Sequence, residues 1–568
     1  MKTKLTFILL MLSLLMGLVG AQPASAAVSW AALPHDGLNG TVRAMVVLGD
    51  YLYVGGDFTQ TSDGSVTNLN HIARYNLKTK TWSAMDENGL NGTVSALAVL
   101  GTDLYAGGNF SGSIGGAVLG NLAKYDTLTN TLGSFSEGGL GGPVLSLVAN
   151  GSNTLYIGGT FTQTANGQVI GIKNIVKYRA DTATWYALPD EGLNAGVYSI
   201  LIKGNYLYAG GSFSQSAGGA TTGLNRVARY HLLGISWSAL PDGGLNDTPL
   251  TMTALGNDIY FGGLFTKNFT GTKNLAYIAK YDPTANSWSA LPGNPLDFDV
   301  YSLLSNGTNL YVGGSFNTAN NGRYIIKFDT LSDTWVTMPD HGLNQAVYSL
   351  ASWQGNLFAG GDFTADSLTA TVSLKRIAQV SIRKSAIVKS TGANDGWVLE
   401  SGENTNVGGT MNATATTLRV GDDTAKKQYR SILSFDTSVI PDDAVITSVT
   451  LKFTIQSSVG VGNPETIFQG FMTDIRKGIF GTSALQVTDW QAAAGKTLGP
   501  LTANANDERR SLSLTAAKAQ MNKTGLTQIR LRFKLDDNNN AAANYLSIYS
   551  GNAALANRPQ LIVQYYIP

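Results

Sequence analysis

Acidic residues recur at one kind of place in this chain. They are Asp36, Asp86-Glu87, Glu137, Asp190-Glu191, Asp242 and Asp340-His341, most of them just ahead of Gly-Leu-Asn. Carboxylates on the loops of a rigid scaffold can accept hydrogen bonds from a ligand or hold a cation. Asp and Asn also satisfy the backbone of the turns they sit in, the simpler chemistry for a repeated residue. Four histidines, His35, His71, His231 and His341, fall in different repeats. His35 and His341 lie in adjoining ones, so a metal between them is one expectation; the sequence assigns no other metal site. There is no Gly-x-Ser-x-Gly elbow, His-Glu-x-x-His helix or phosphate loop. No cysteine occurs in 568 residues, which excludes disulfides, thiolate metal ligands and a cysteine–tyrosine cross-linked copper radical site. Paired carboxylates of the glycosidase kind remain compatible with the sequence. A pair that breaks the repeat would favour them, but the acidic turn residues occupy equivalent positions. No cofactor is expected.

Past residue 384 the only tryptophans are Trp397 and Trp490. A tryptophan can offer an apolar face to a sugar ring while its N–H bonds a polar group. Trp490 follows polar residues in Val487-Thr488-Asp489-Trp490-Gln491 and is read as the ligand contact; Trp397 is read as core.

The elements that carry the acidic turns come from a repeat. Gly-Gly-x-Phe occurs seven times, beginning at Gly55, Gly107, Gly158, Gly210, Gly262, Gly313 and Gly360, at spacings of 52, 51, 52, 52, 51 and 47 residues. Each period holds short apolar runs rich in Val, Ile, Leu, Tyr and Trp, separated by turn residues, which suits four strands per unit. A period near fifty residues built from strands is the signature of a propeller blade. The fourth strand carries Trp30, Trp82, Trp185, Trp237, Trp288 or Trp335, with Leu132 in the odd copy, read as packing between blades. The third strand carries a basic residue, as in Ile72-Ala73-Arg74-Tyr75 and Ile278-Ala279-Lys280-Tyr281, read as snorkelling to water. The glycine pair is read as serving a positive φ or a close backbone approach. The chain starts with a fourth-type strand, Ser29 to Leu33, and its last repeat lacks one, so the N-terminus is expected to close blade seven. Strand order puts the acidic turns and the loops between second and third strands on one face.

The unit W-x-A-L-P-x-x-G-L-N-G … L-Y-x-G-G-x-F … I-A-R-Y resembles the kelch-type, galactose-oxidase-like propeller repeats of secreted bacterial proteins, over residues 29–383. That resemblance speaks to fold, since propellers host binding modules and enzymes alike. Beyond the repeats, strand-like runs such as Ile446 to Phe453 and Gln528 to Lys534 alternate apolar and polar residues, which suits a two-sheet sandwich. Asp395-Gly396-Trp397-Val398, Arg430-Ser431-Ile432-Leu433-Ser434-Phe435-Asp436 and Arg558-Pro559-Gln560-Leu561-Ile562-Val563-Gln564-Tyr565 resemble the DNRLRE-type jelly-roll domains of secreted bacterial proteins, which are similar to carbohydrate-binding modules. The name motif itself is absent, and glycan binding is implied by the resemblance alone.

Lys2 and Lys4, the apolar run Leu5 to Gly20 and Ala24-Ser25-Ala26 read as a secretory signal over residues 1–26. The domain reading is therefore a signal at 1–26, a seven-bladed propeller at 27–383, a linker at 384–392 and an all-β jelly roll at 393–568. Net charge is +1 with 14% charged residues, which argues against nucleic acid or an anionic membrane surface as partner. No further stretch reads as a membrane span. The expected protein is secreted, extracellular or at the cell surface, and non-enzymatic. Its jelly roll would contact a glycan or cell-surface polysaccharide, and its propeller loops (Asp36, Asp86, Glu87, Asp190, Glu191, Asp242, Asp340, His341) would face a glycan or another extracellular protein. The alternative is a secreted polysaccharide-active enzyme with a catalytic propeller.

Overall fold

The computed structural model describes residues 28–566 apart from 235, 319–321, 331, 371, 483 and 507–508, with only the backbone at 504–506. The signal read at residues 1–26 lies outside the described residues. The chain divides into two units after Ser381, and both are all-β.

The first unit is a seven-bladed propeller. Six four-stranded sheets follow the chain in order, the first being Val42–Leu48, Tyr51–Gly56, Ile72–Asn76 and Thr81–Ala84. In the seventh the outer strand comes from the other end of the chain: Ala31 pairs with Gln379 and Ala32 with Ala378. The closing strand is short but well anchored. Trp30 is 2% exposed, its N–H donates to Asp340 Oδ2 at 3.0 Å and its indole N–H to the Pro339 carbonyl at 3.1 Å.

The same indole bond recurs around the ring. Trp82, Trp237, Trp288 and Trp335 donate to the carbonyls of Pro34, Pro189, Pro241 and Pro292, and Trp185 donates to Glu137 Oε2. Each tryptophan thus satisfies its one polar atom on the turn leaving the preceding blade while burying its rings. The glycine pair serves close approach. A Cβ on Gly55, Gly107 or Gly360 would fall 2.2–2.4 Å from a Val methyl of the next blade (Val94, Val144 and Val42). A Cβ on Gly56 would fall 2.0 Å from the Thr41 carbonyl of its own blade. The third-strand basic residues have partners: Lys124 with Asp103 at 2.7 Å, Lys280 with Asp258 at 3.4 Å, and Arg74 and Arg229 over the rings of Tyr51 and Tyr206.

The second unit is a curled sheet over a main core, with a smaller apolar cluster beside it. The strand Val445–Val459 pairs through its first half with Gln560–Tyr566 and Arg509–Ser513, and through its second with Asn544–Tyr549, so it carries the sheet round a corner. Leu451, Phe453, Leu561 and Val563 from one half and Leu433, Phe471, Leu531 and Ile548 from the other share that core. The segment read as a linker is part of this unit. Lys384–Lys389 is a strand paired along its whole length with 560–565, with Val388 buried in the core and Ile387 exposed. Thr515–Gln520 forms a 3-10 segment.

Asp395 ties this unit together, accepting the Ser390 hydroxyl at 2.6 Å and the N–H groups of Ser434 at 2.7 Å and Gly551 at 2.8 Å. Burial pushes its carboxyl up to about 6 against those hydrogen bonds, and burial does the same to Asp422. An unfolded Asp titrates near about 4, so the native state keeps these protons longer and loses stability as pH rises from about 4 to about 6. Asparagine cannot titrate. The melting-temperature advantage of the wild type over Asp395→Asn is therefore expected to shrink between pH 4 and pH 7; a constant gap would contradict the protonated assignment.

Candidate ligand-binding site

The acidic turns form as left-handed backbone. Asp190-Glu191-Gly192 has φ values of 55, 62 and 97°, and Asp340-His341-Gly342 values of 54, 59 and 91°. Recurring from blade to blade, this conformation belongs to the architecture, and most of the carboxylates are engaged within it. Asp86 accepts the Leu132 N–H at 2.8 Å, and Glu87 the Ser113 hydroxyl at 3.3 Å. Asp190 accepts the Ser216 hydroxyl and the Ala220 N–H, which hold its carboxyl below the usual range. Glu191 pairs with Lys173 at 2.6 Å and Asp242 with Lys273 at 3.2 Å. Asp340 anchors the closing strand. Asp36 and His341 sit half-buried in their turns. His35 faces Asp63 at 3.0 Å, and among the described residues no three His, Cys, Asp or Glu side chains are grouped to hold a metal. The asparagine of Gly-Leu-Asn is a staple as well: Asn39 Oδ1 accepts the N–H groups of Thr59 and Gln60.

What the fold does gather is a set of residues from blades six, seven and one, at the end of the inner strands that bears these turns. Tyr301 and Tyr348, each second in its blade's inner strand, lie 5.2 Å apart at 34°. Arg43, in the equivalent position of blade one, sits 5.7 Å over the Tyr348 ring and bonds Asp57 at 2.8 Å. The Tyr348 hydroxyl donates to Asp362 at 2.9 Å, which also accepts from Thr41 and faces Arg376 at 3.6 Å. Tyr301 donates to Asp299 at 3.3 Å. Burial and the Asp362 carboxylate push Tyr348 up to about 12, so its phenol is a neutral donor. Burial raises Asp299, helped by Asp247. Two half-buried rings edged by carboxylates and an exposed guanidinium can stack on an apolar ring face and bond hydroxyls around its rim.

Sequence reasoning missed this cluster by looking for uniform positions. The signal was present as departure from the repeat. The residue after the glycine pair is Asp only in blades one and seven (Asp57, Asp362) and is Asn109, Thr160, Ser212, Leu264 and Ser315 elsewhere. These two acids are spanned by Arg43 and Thr93, and by Tyr348 and Thr41, an arrangement for holding groups in place.

On the second unit the burial of the two tryptophans is the reverse of the expectation. Trp490 is 2% exposed, packed with Val398, Ile432, Phe480 and Leu485, and cannot meet a sugar. Trp397 is half-buried, leaning on the main core beside Tyr429, their rings edge-on at 5.2 Å. Arg419 lies 5.4, 5.4 and 5.1 Å from the rings of Trp397, Tyr429 and Tyr545.

The first unit is thus a propeller with a polar, aromatic cluster at one end of its inner strands. Residues 22–157 match the family model described as the Rax2 C-terminal beta propeller domain. Over 81 residues the chain is 41% identical to the polarized growth protein rax2 of Schizosaccharomyces pombe, covering 14% of this chain and 7% of that protein. Over 154 residues it is 27% identical to the polarized growth protein L1 of a Phoma species, covering 25% and 11%. The chain therefore matches about a tenth or less of the length of these relatives. Among solved structures, the computationally designed Ika8 protein superposes at a TM-score of 0.38 with 12% identity, over 62% of this chain and 100% of that one. No helix among the described residues is long and apolar enough to cross a membrane.

Proposed function

We propose that this is a secreted, cell-surface binding protein whose propeller grips a hydroxyl-rich glycan through the Tyr301–Tyr348–Arg43 cluster. The observation that carries this reading is the departure from sevenfold repetition. Two tilted aromatic rings in contact, a guanidinium and carboxylates collect in three consecutive blades, while the same inner-strand position is Ser95, Leu145, Tyr198 and Leu250 in blades two to five. Likeness to polarized growth proteins is consistent with work at a growing cell surface. On the second unit, the Trp397–Tyr545–Arg419 group replaces Trp490 as the proposed glycan contact.

Affinity electrophoresis of the whole chain through gels containing neutral and anionic polysaccharides tests this. Wild-type protein should be retarded by at least one polymer. Tyr301→Ala/Tyr348→Ala should weaken that retardation about tenfold, equivalent to about 1.4 kcal/mol, because it removes two stacking faces. Equal mobility of variant and wild type in every gel that retards the wild type would sink the assignment.

A further inference from the structure

Blades two and three meet differently from the others. In blade one the loop Phe58-Thr59-Gln60-Thr61 is stapled by Asn39, whose Oδ1 accepts the Thr59 and Gln60 N–H groups at 2.8 and 3.2 Å and whose Nδ2 donates to Thr59 Oγ1 at 2.9 Å. Asn91, Asn194, Asn246 and Asn344 repeat the bond to their own loops, and Asp297 bonds Asn317. Blade three has the same loop sequence, Phe161-Thr162-Gln163-Thr164, but Gly141 stands in place of the asparagine. One loop away, Gly120 occupies a position that holds Asn70, Lys173, Asn225, Ala276, Arg323 and Lys375 in the other six blades.

Beside these two glycines lies a cleft of about 540 Å³. Its walls include Asn91, Asn109, Ser111, Asn121, Phe110 and Val118, and no residue lining it is charged. Two of its amides are fixed in place. Asn91 Nδ2 donates to Ser111 Oγ at 3.0 Å and Asn121 Nδ2 to the Leu140 carbonyl at 3.0 Å. Each amide nitrogen carries a second hydrogen beyond that bond. Val118, 82% exposed, offers an apolar patch at the rim.

We infer that this cleft is a second glycan subsite, taking one uncharged sugar residue of a polysaccharide. The inference rests on the binding function proposed above. An ionised ligand would find no counter-charge among the lining residues, and desolvating it would be costly. A peptide backbone would want an open strand edge, and the cleft is walled by loops and turns. A neutral sugar asks for what is present: oriented amides and a hydroxyl for its own hydroxyls, and an apolar contact for its C–H face. The volume lies within the range of small-ligand sites.

Gly141→Asn makes the test unusual, because it should fill the cleft and strengthen the fold together. The φ of Gly141 lies outside the left-handed range, and its Cβ would meet the Gln163 and Thr164 carbonyls at 3.2 and 3.3 Å, contacts a small shift relieves. The new amide would then reach the Thr162 and Gln163 N–H groups as Asn39 reaches its own. Asn109→Asp is the second variant. It puts a charge into the cleft at a position where blades one and seven already carry Asp57 and Asp362. The whole chain is run by affinity electrophoresis in dextran, mannan, galactan and polygalacturonate, with thermal melts alongside. Expected are retardation by at least one neutral polymer, about tenfold weaker in both variants, and a Gly141→Asn melting temperature raised by about 2 °C or more. Undiminished retardation of both variants would overturn the cleft assignment alone, leaving the tyrosine cluster to its own variants. Retardation by polygalacturonate only would overturn the uncharged specificity. If no polymer retards the wild type, the glycan reading itself falls, and this subsite with it.

Discussion

Deleting residues 27–40 is expected to cost the propeller on the order of several kcal/mol and to make it aggregate. Three nearly fully buried side chains go with that segment, Trp30 at 2% exposed and Leu33 and Leu38 at 1% each. The strand Ile377–Ser381 then becomes an open edge, since Gln379 and Ala378 lose their partners Ala31 and Ala32. Asp340 loses the Trp30 N–H and Pro339 the indole N–H. Trp30→Ala alone should account for about 3–5 kcal/mol of this, the usual range for a buried tryptophan. Differential scanning calorimetry with size-exclusion chromatography measures both effects. An unchanged melting temperature and a monomeric profile in the deletion variant would mean that the ring is held shut elsewhere.

Trp490→Ala should destabilise the second unit by about 3–5 kcal/mol. Besides its four apolar neighbours, the indole lies under the Arg430 guanidinium, 3.3 Å from the ring centroid. Arg430 also donates to the Trp490 carbonyl at 2.9 Å. Burial, with Arg532 and Arg530 nearby, already depresses Arg430 to about 9, so removing the ring leaves a poorly compensated cation beside a cavity. Trp397→Ala, at a half-buried position, should cost only about 1–2 kcal/mol. Urea unfolding followed by tryptophan fluorescence ranks the two. If Trp397→Ala proves the more damaging, the assignment of core and surface must be reversed.

These two tryptophans mark where reading the chain locally breaks down. Thr488, Asp489 and Gln491 make Trp490 look like part of an exposed loop. In the fold Asp489 is itself buried, its carboxylate taking the Gln486 N–H at 2.9 Å to cap a short 3-10 turn that drives the indole inward. The charge beside the indole is thus engaged by the turn's own backbone, while Gln491 accepts the Gly408 N–H of another strand. Lys384–Lys389 misleads for a related reason: six residues with two charges look like a linker until the distant strand Gln560–Tyr566 supplies a partner for every position.

The propeller was legible because its determinants are short-range and repeated seven times. A glycine pair that lets adjacent blades touch, a tryptophan that bonds the preceding turn and a missing last strand each leave a mark in the one-dimensional pattern, and together they require seven blades closed by the N-terminus. The same repetition drew attention to the acidic turns, whose carboxylates prove mostly to be occupied in holding loops. The departures that mark the candidate site stand in the sequence, but their grouping became visible only in three dimensions. Arg43 and Tyr348 are about three hundred positions apart, and neither has a distinguishing neighbour in sequence. Ring closure brings blade seven against blade one, so a guanidinium and a tyrosine ring from opposite ends of the propeller sequence meet at 5.7 Å. Local sequence determines what a blade is; which departures from the blade pattern stand together is decided by the closure of the ring.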